Sequence, residues 1–545
     1  MRRSVHLHLA VMLLAGVLLP RIVSAQQPLH ERIDELVITS AGKLPIAPPS
    51  SDAEFVRRIF LDLAGRIPNR DEVRAFLADG SFDKREKLID QLLAGPDYPR
   101  HMSEQFHIML MERLGNDENW SKFLRTSFEK NLAWDEITQA LIHADRENEE
   151  ARGAAYFLTA RLISEGAMAD TDVPGLTRDV ARLLAGKDLQ CAQCHDHLSI
   201  NDYKQQDFQG LHAIFLNIKE DRSVKFPAVS EGLMSKKHDF MSVFIQAPEQ
   251  TGPRVPGMGE IELPTFAEGE EYLVPPDKKK RTPGVPKFSP LSTLAEKLTQ
   301  ADNKVFRENI ANRLWFLMLG RGLVHPLDEH HSDNPPSHPK LLEELGQQFA
   351  EHHFDIPWLL KQIALSDTYQ RTSVLADGQQ PPPRDKFVLA HQKRISAEQL
   401  LWSTLVATGE LQNYQPPADA TEKEKQAVQE RLEKLRDQFV KMFANPPREP
   451  EVEFQPSVQG TLFALNNPQI RRLFERRDGN LIDHLTELPD EQIAEELFIS
   501  LLSRRPSEAD RADIDEFLKQ SPNREKALSQ LAWALWTSNE FFINH

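Results

Sequence analysis

The chain has 545 residues, with 65 Lys+Arg against 82 Asp+Glu for a formal charge of −17, and 2 Cys. The acidic balance excludes a protein built to neutralise a nucleic-acid backbone, which needs a clustered excess of Lys and Arg. Two cysteines are too few for a disulfide scaffold, and a hydrophobic content of 40% in a chain this long provides for a sizeable core and several domains.

Taken in chain order, the first feature is an address. Arg2 and Arg3 precede an apolar run from Leu9 to Leu19, and Val23-Ser24-Ala25 presents the small residues that signal peptidase reads. Residues 1–25 are read as a signal peptide cleaved after Ala25, which removes Arg2, Arg3 and Arg21 and takes the charge from −17 to −20. An uncleaved anchor is the competing reading, but the run is short of the roughly 18 residues a span needs. No later run approaches that length, and no Cys follows the cleavage site to accept a lipid. The expectation is an exported protein, periplasmic or secreted, with no transmembrane span after cleavage and no nucleic-acid partner.

Residues 26–216 carry a helical pattern, with apolar positions recurring at three and four. Ser51-Asp52-Ala53-Glu54 reads as a capping box ahead of the apolar face from Phe55 to Leu63. Asn69 caps the next short helix, Gly80 ends it, and Lys84 to Leu93 forms another before Gly95-Pro96 breaks it. Residues 217–290 differ. Nine of the 37 Pro lie between Pro248 and Pro290, where the backbone lacks donors and cannot run as long helices. This insert is expected to be irregular and partly β, with Lys278-Lys279-Lys280-Arg281 as a solvated basic run. Helical periodicity returns over 291–545, and Thr421 to Phe443, with Val428, Leu432, Leu435 and Phe439 on one face, predicts a long core-facing amphipathic helix. The fold class is mainly α, two helical domains separated by the Pro-rich insert.

Both cysteines sit in Cys191-Ala192-Gln193-Cys194-His195, an arrangement that random placement produces about once in 8,000 trials. This is the attachment pattern of c-type haem. Two thiols at this spacing add across the two vinyl groups of a porphyrin, and the adjacent imidazole ligates the iron. The residues therefore predict covalent haem c at Cys191 and Cys194, with His195 as an axial ligand. Attachment takes place outside the cytoplasmic membrane, so motif and signal peptide agree. Three other readings compete: a Zn site of Cys191, Cys194, His195 and His197, a redox dithiol with His195 lowering a thiol pKa, and a disulfide staple.

A second axial ligand is Met or His by chemistry, and Met168, His197, His212, Met234, Met241 and Met258 are candidates by type. His197, two residues past the first ligand, cannot easily reach the opposite face. Further on, His325, Asp328, Glu329, His330, His331 and Asp333 make a ligand-rich loop that could hold a divalent metal or serve acid–base chemistry. The plainer reading is a solvated turn leading into a helix from Pro339. No Gly-rich phosphate loop, Ser-nucleophile elbow or zincin helix is present in the sequence.

Arg57-Arg58-Ile59-Phe60-Leu61-Asp62-Leu63-Ala64-Gly65-Arg66-Ile67-Pro68, followed by Leu189 to His197, resembles the first of two domains that occur together in exported planctomycete cytochrome-like proteins. Asn312-Arg313-Leu314-Trp315, Gly320 to Pro326, Asn334 to Pro339, Arg394 to Leu400 and the closing Ser538 to His545 resemble the second. The two are domains of unknown function, fifteen-forty-nine and fifteen-fifty-three. The resemblance covers most of the chain after the signal peptide, and it implies the same Cys-x-x-Cys-His, carried here by Cys191, Cys194 and His195. Larger relatives often add a cytochrome c domain that is missing from this chain. Trp402 stands where the family usually has Asp, and Leu198 where it has Pro.

Together these readings point to one haem used for electron transfer or oxidation, with a redox partner protein. The alternatives are a non-haem scaffold or binding protein at a cell-surface polymer, with Cys191 and Cys194 as a disulfide, and a metal-dependent enzyme using the Asp328–His331 loop.

Overall fold

A computed structural model describes residues 27–162, 171–449 and 467–545, apart from 278, 280, 281, 376, 377, 379 and 418. The signal peptide, Met168 and most of the basic run at 278–281 lie outside the described residues. The protein is predominantly helical, as its periodicity predicts. Among the described residues, ten α-helices precede the insert: α1 (Leu29–Ala41), α2 (Asp52–Leu63), α3 (Arg70–Ala78), α4 (Lys84–Leu93), α5 (Asp97–Met111), α6 (Glu118–Glu129), α7 (Trp134–Ile142), α8 (Tyr156–Leu162), α9 (Val173–Ala185) and α10 (Gln205–Phe215).

Local signals explain the helix starts. Asn69 accepts from the amides of Asp71 and Glu72, and Glu72 returns a bond to the Asn69 amide, a complete capping box for α3. At α2 only half of the expected box forms. Ser51 Oγ accepts from the Glu54 amide at 3.2 Å, but the Glu54 carboxylate turns inward to Arg58 at 2.7 Å, the Thr372 hydroxyl at 2.8 Å and the Ser373 amide at 2.7 Å. A buried guanidinium outbids a surface cap, because it neutralises a charge that would otherwise be desolvated.

The described residues of the insert form four separate antiparallel strand pairs: β1 (Ile218–Glu220) with β2 (Val229–Glu231), β3 (His238–Met241) with β4 (Pro248–Thr251), β5 (Arg254–Val255) with β6 (Gly259–Glu260), and β7 (Tyr272–Val274) with β8 (Val285–Pro286). In β3–β4, His238 faces Thr251 and Met241 faces Pro248. Helices resume as α11 (Pro290–Leu298), α12 (Lys304–Leu319), α13 (Pro339–Glu351), α14 (Ile356–Leu365), α15 (Asp367–Gln370), α16 (Ala397–Ala407) and α17 (Glu422–Phe443), followed by shorter helices to the C-terminus. Thr421 caps α17. Only Leu435 and Phe439 of α17 are buried, so the core-facing stripe expected along its whole length is confined to its second half.

One hydrophobic core gathers α1–α10 with α11–α14, and a second is built from residues 395–541 and reaches back to Leu61 and Ile67. Between them runs a buried polar seam. Arg57 donates to the carbonyls of Leu501, Glu540 and Phe541 at 3.2, 3.1 and 3.0 Å. Arg58 donates to those of Tyr369 and Arg371 at 2.7 and 2.8 Å. Asp62 accepts from Lys393 Nζ at 2.6 Å, the Tyr369 hydroxyl at 2.8 Å and Asn544 Nδ2 at 2.7 Å. The charges of the Arg57–Pro68 segment thus satisfy distant backbone and side chains. A last antiparallel pair, β9 (Lys393–Arg394) with β10 (Ile543–Asn544), fastens the end of the chain beside them. Among the described residues no helix is long and apolar enough to cross a membrane.

Candidate functional site at the Cys-x-x-Cys-His turn

Helix α9 ends at Gly186, whose φ of +65° is the left-handed conformation that closes a helix without a Cβ penalty. A Cβ there would stand 2.9 Å from Asn309 Oδ1, so the close approach of α12 also requires glycine. The chain then enters a single 3-10 turn over Cys191–Gln193. Ala192 points into the core and is fully buried, while Cys191 and Cys194 on either side of it are exposed. A short turn with its middle residue inward presents both thiols outward.

Side chains from three elements hold this turn. Arg178 of α9 donates to Gln193 Oε1 at 2.6 Å, and Gln209 Nε2 of α10 donates to the Gln193 carbonyl at 2.8 Å. His238 of β3 in turn donates to Gln209 Oε1 at 3.1 Å. Asp196 Oδ1 accepts from the Gln205 amide at 2.9 Å and tethers the exit of the turn to the start of α10. His195 Nδ1 donates to the carbonyl of Asp196 at 2.6 Å. That bond fixes the tautomer and leaves Nε2 as the ring nitrogen with a lone pair, the arrangement of a metal-ligating histidine oriented by a backbone carbonyl.

The sequence reading missed what lies beside the turn. The loop after β3 docks on it: the Val243 amide donates to the Cys194 carbonyl at 3.1 Å, and Gln205 Nε2 donates to the Met241 carbonyl at 3.3 Å. Met241, Val243, Phe244 and Ile245 are 54%, 57%, 63% and 71% exposed, and the Phe244 ring lies 4.6 Å from the His195 ring. Leu198 is also exposed. These side chains leave apolar surface in solvent beside the turn. The apolar pattern of Met241 to Ile245 was visible in the sequence, but its placement against a turn almost fifty residues earlier was not.

The competing readings of the motif fare differently. Cys191 and Cys194 are free thiols, which corrects the disulfide alternative: the turn is held by side-chain bonds to Gln193 rather than by a staple. For zinc, His197 is needed, but its Nδ1 accepts from the Ile200 amide at 2.9 Å and its ring packs edge-on to Tyr203. Among the described residues no three His, Cys, Asp or Glu side chains gather as a metal site.

The ligand-rich loop is likewise dispersed. Asp328 is clasped by Arg313 and, at 2.9 Å, by Arg182, which also grips Glu112 at 2.5 Å. His330, driven down to about 4 by burial, faces Glu308 at 3.8 Å. The His331 ring rests against Tyr203 at 5.3 Å, and Glu329 and Asp333 are exposed. Guanidinium groups occupy the Asp328 carboxylate a metal would need, which corrects the alternative of a metal site in this loop, where a turn is the plainer reading. The loop braces the motif instead. The Asp188 amide donates to the Asp328 carbonyl at 2.9 Å and the His330 amide to the Gly186 carbonyl at 3.0 Å, joining α9's exit to the segment after α12.

A cavity of about 580 Å³ opens on the other side of that loop, lined by Asp62, His101, Gln105, Phe316, Asp328 and Lys393 among others. His101 is neutral there, lowered to about 3 by burial. Near it, Trp402 donates its indole N–H to Glu104 at 3.0 Å and stacks under Arg100.

Residues 32–220 match PSCyt2, protein of unknown function (DUF1549), and residues 292–518 match PSD1, protein of unknown function (DUF1553). No curated protein and no solved structure matches the chain. With the Cys191–His195 turn in the first matched region and the bracing Asp328 loop in the second, the chain belongs to the family of proteins that carry PSCyt2 followed by PSD1.

Proposed function

We propose that the protein is exported, carries one covalently attached c-type haem at Cys191, Cys194 and His195, and exchanges single electrons with a redox partner protein. The observation that carries this reading is the state of the turn: two outward, free thiols beside an imidazole whose Nδ1 is committed to a carbonyl at 2.6 Å. The exposed apolar loop at Met241–Ile245 supports it, because a porphyrin needs apolar surface to exclude water from at least one face. Haem, when bound, supplies the one-electron chemistry. The chain's own work is positional. Cys191 and Cys194 tether, His195 Nε2 ligates, the Asp196 carbonyl orients the imidazole, and Gln209 and Arg178 hold the turn through Gln193.

The test is expression of the full chain, signal included, in cells with haem-maturation machinery. The purified protein is expected to begin after Ala25 and to keep a Soret band and a haem-sized mass increment after denaturation. Cys191→Ser with Cys194→Ser is expected to lose both. Unmodified mass and no visible absorbance in the wild type overturn the reading.

A further inference from the structure

We propose that Met241 supplies the second axial ligand, through its thioether sulfur, at the haem site; the inference rests on the haem reading above. By residue type, six side chains compete for this role, and the structure separates the five that it describes. His197 is folded back into its own turn by the Ile200 amide at 2.9 Å. His212 is packed within α10, with Nδ1 3.1 Å from the Thr177 hydroxyl and its ring stacked on Phe208. Met234 is buried. Met258 sits on the turn between β5 and β6, which Asn303 Nδ2 holds through the Pro256 carbonyl at 3.0 Å.

Met241 stands apart on two counts. It is more than half exposed, although a thioether used as core filler would be buried. It is also pinned to the motif on both sides. Its own carbonyl takes the Gln205 side chain, on the same residue whose amide binds Asp196, and two residues on, Val243 bonds the carbonyl of Cys194. The strand explains the exposure. Along β3 the side chains alternate, His238 turning in to Gln209 and Met241 ending the strand outward, opposite Pro248, which has no N–H to extend the ladder. The chain is thus anchored by bonds to backbone and to His238, leaving the Met241 side chain exposed three residues before Phe244, whose ring lies against the His195 imidazole. A soft thioether paired with imidazole is a low-spin ligand set that raises the reduction potential.

The experiment uses the full chain matured with haem, and reads optical and electron paramagnetic resonance spectra and the reduction potential. The wild type is expected to be low-spin, with the thioether-to-ferric charge-transfer band. Met241→Ala is expected to lose that band and turn high-spin while keeping its covalent haem, and Met241→His to stay low-spin at a lower potential. Met258→Leu is expected to leave the spectra unchanged. A haem-loaded wild type without the band, or a Met241→Ala protein that retains it, overturns the assignment and leaves the attachment site standing. Absence of covalent haem from the wild type overturns both.

Discussion

The amide of Val243 donates to the carbonyl of Cys194 at 3.1 Å, joining the Pro-rich insert to the cysteine turn. With the Gln205–Met241 bond and the Phe244 ring against His195, this bond brings a segment with four exposed apolar side chains into the motif's surroundings. The thiols nevertheless stay outward. In protein produced without haem, both Cys191 and Cys194 are expected to react with a thiol reagent under native conditions, giving two equivalents before any denaturant is added. Reaction only after unfolding would contradict the outward turn.

The same loop carries a second expectation. Phe244→Ser with Ile245→Ser removes apolar surface that makes no core contact, so stability is expected to change by no more than about 0.5 kcal/mol in urea unfolding. Binding of a hydrophobic dye to the haem-free protein is expected to fall at the same time. A large loss of stability would show that the loop is a packing element rather than an exposed face.

Lys393 and Asp62 form the seam's buried ion pair at 2.6 Å, with the ammonium also serving the carbonyls of Leu317 and Met318 at the end of α12. Lys393→Met strands the Asp62 charge in the interior and is expected to cost about 3–5 kcal/mol. Adding Asp62→Asn is expected to recover part of that loss, since the residual penalty is then a neutral amide's. The coupling is read from a double-mutant cycle by denaturant unfolding.

Glu398 links the same region to pH. Burial raises its pKa, but the bidentate pair with Arg113, at 2.5 and 3.1 Å, outweighs burial and holds it down at about 2 against an ordinary value of 4.5. A depressed carboxylate contributes stability that is complete above its unfolded value and is lost as pH falls through the folded one. Unfolding free energy is therefore expected to decline between about pH 4.5 and pH 2. Glu398→Gln should be less stable at pH 7 and flatten that part of the decline. Equal slopes for the two proteins would refute the assignment.

Gly65 tests the close packing of α2 and α5. Its φ is +66°, and a Cβ would stand 2.3 Å from His101 Nδ1, on a ring held by the Asp62 carbonyl. Gly65→Ala is expected to destabilise by roughly 1–3 kcal/mol, from both left-handed strain and the clash. A neutral result in thermal or urea unfolding would mean that the imidazole moves away at no cost.

Much of this protein was legible in its amino-acid order, because the relevant forces are local. Asn69 and Thr421 announce their helices through bonds to amides two or three residues away, proline density keeps helices out of the insert, and the Cys191–His195 spacing is itself the chemical signal. What tertiary structure decided concerns charges and surfaces whose partners are distant in sequence. Glu54 looked like half of a cap and became a buried counter-ion to Arg58, Asp328 looked like a candidate metal ligand and became the clasp of Arg182 and Arg313, and Met241, one of six candidates by type, came to bond through its carbonyl to the Gln205 side chain at the start of α10. A carboxylate goes wherever a guanidinium best repays its desolvation, and an apolar loop goes wherever the backbone finds its hydrogen bonds. Neither destination is encoded in spacing. The order of residues thus determined that a reactive turn exists, and only the folded chain determined what stands beside it.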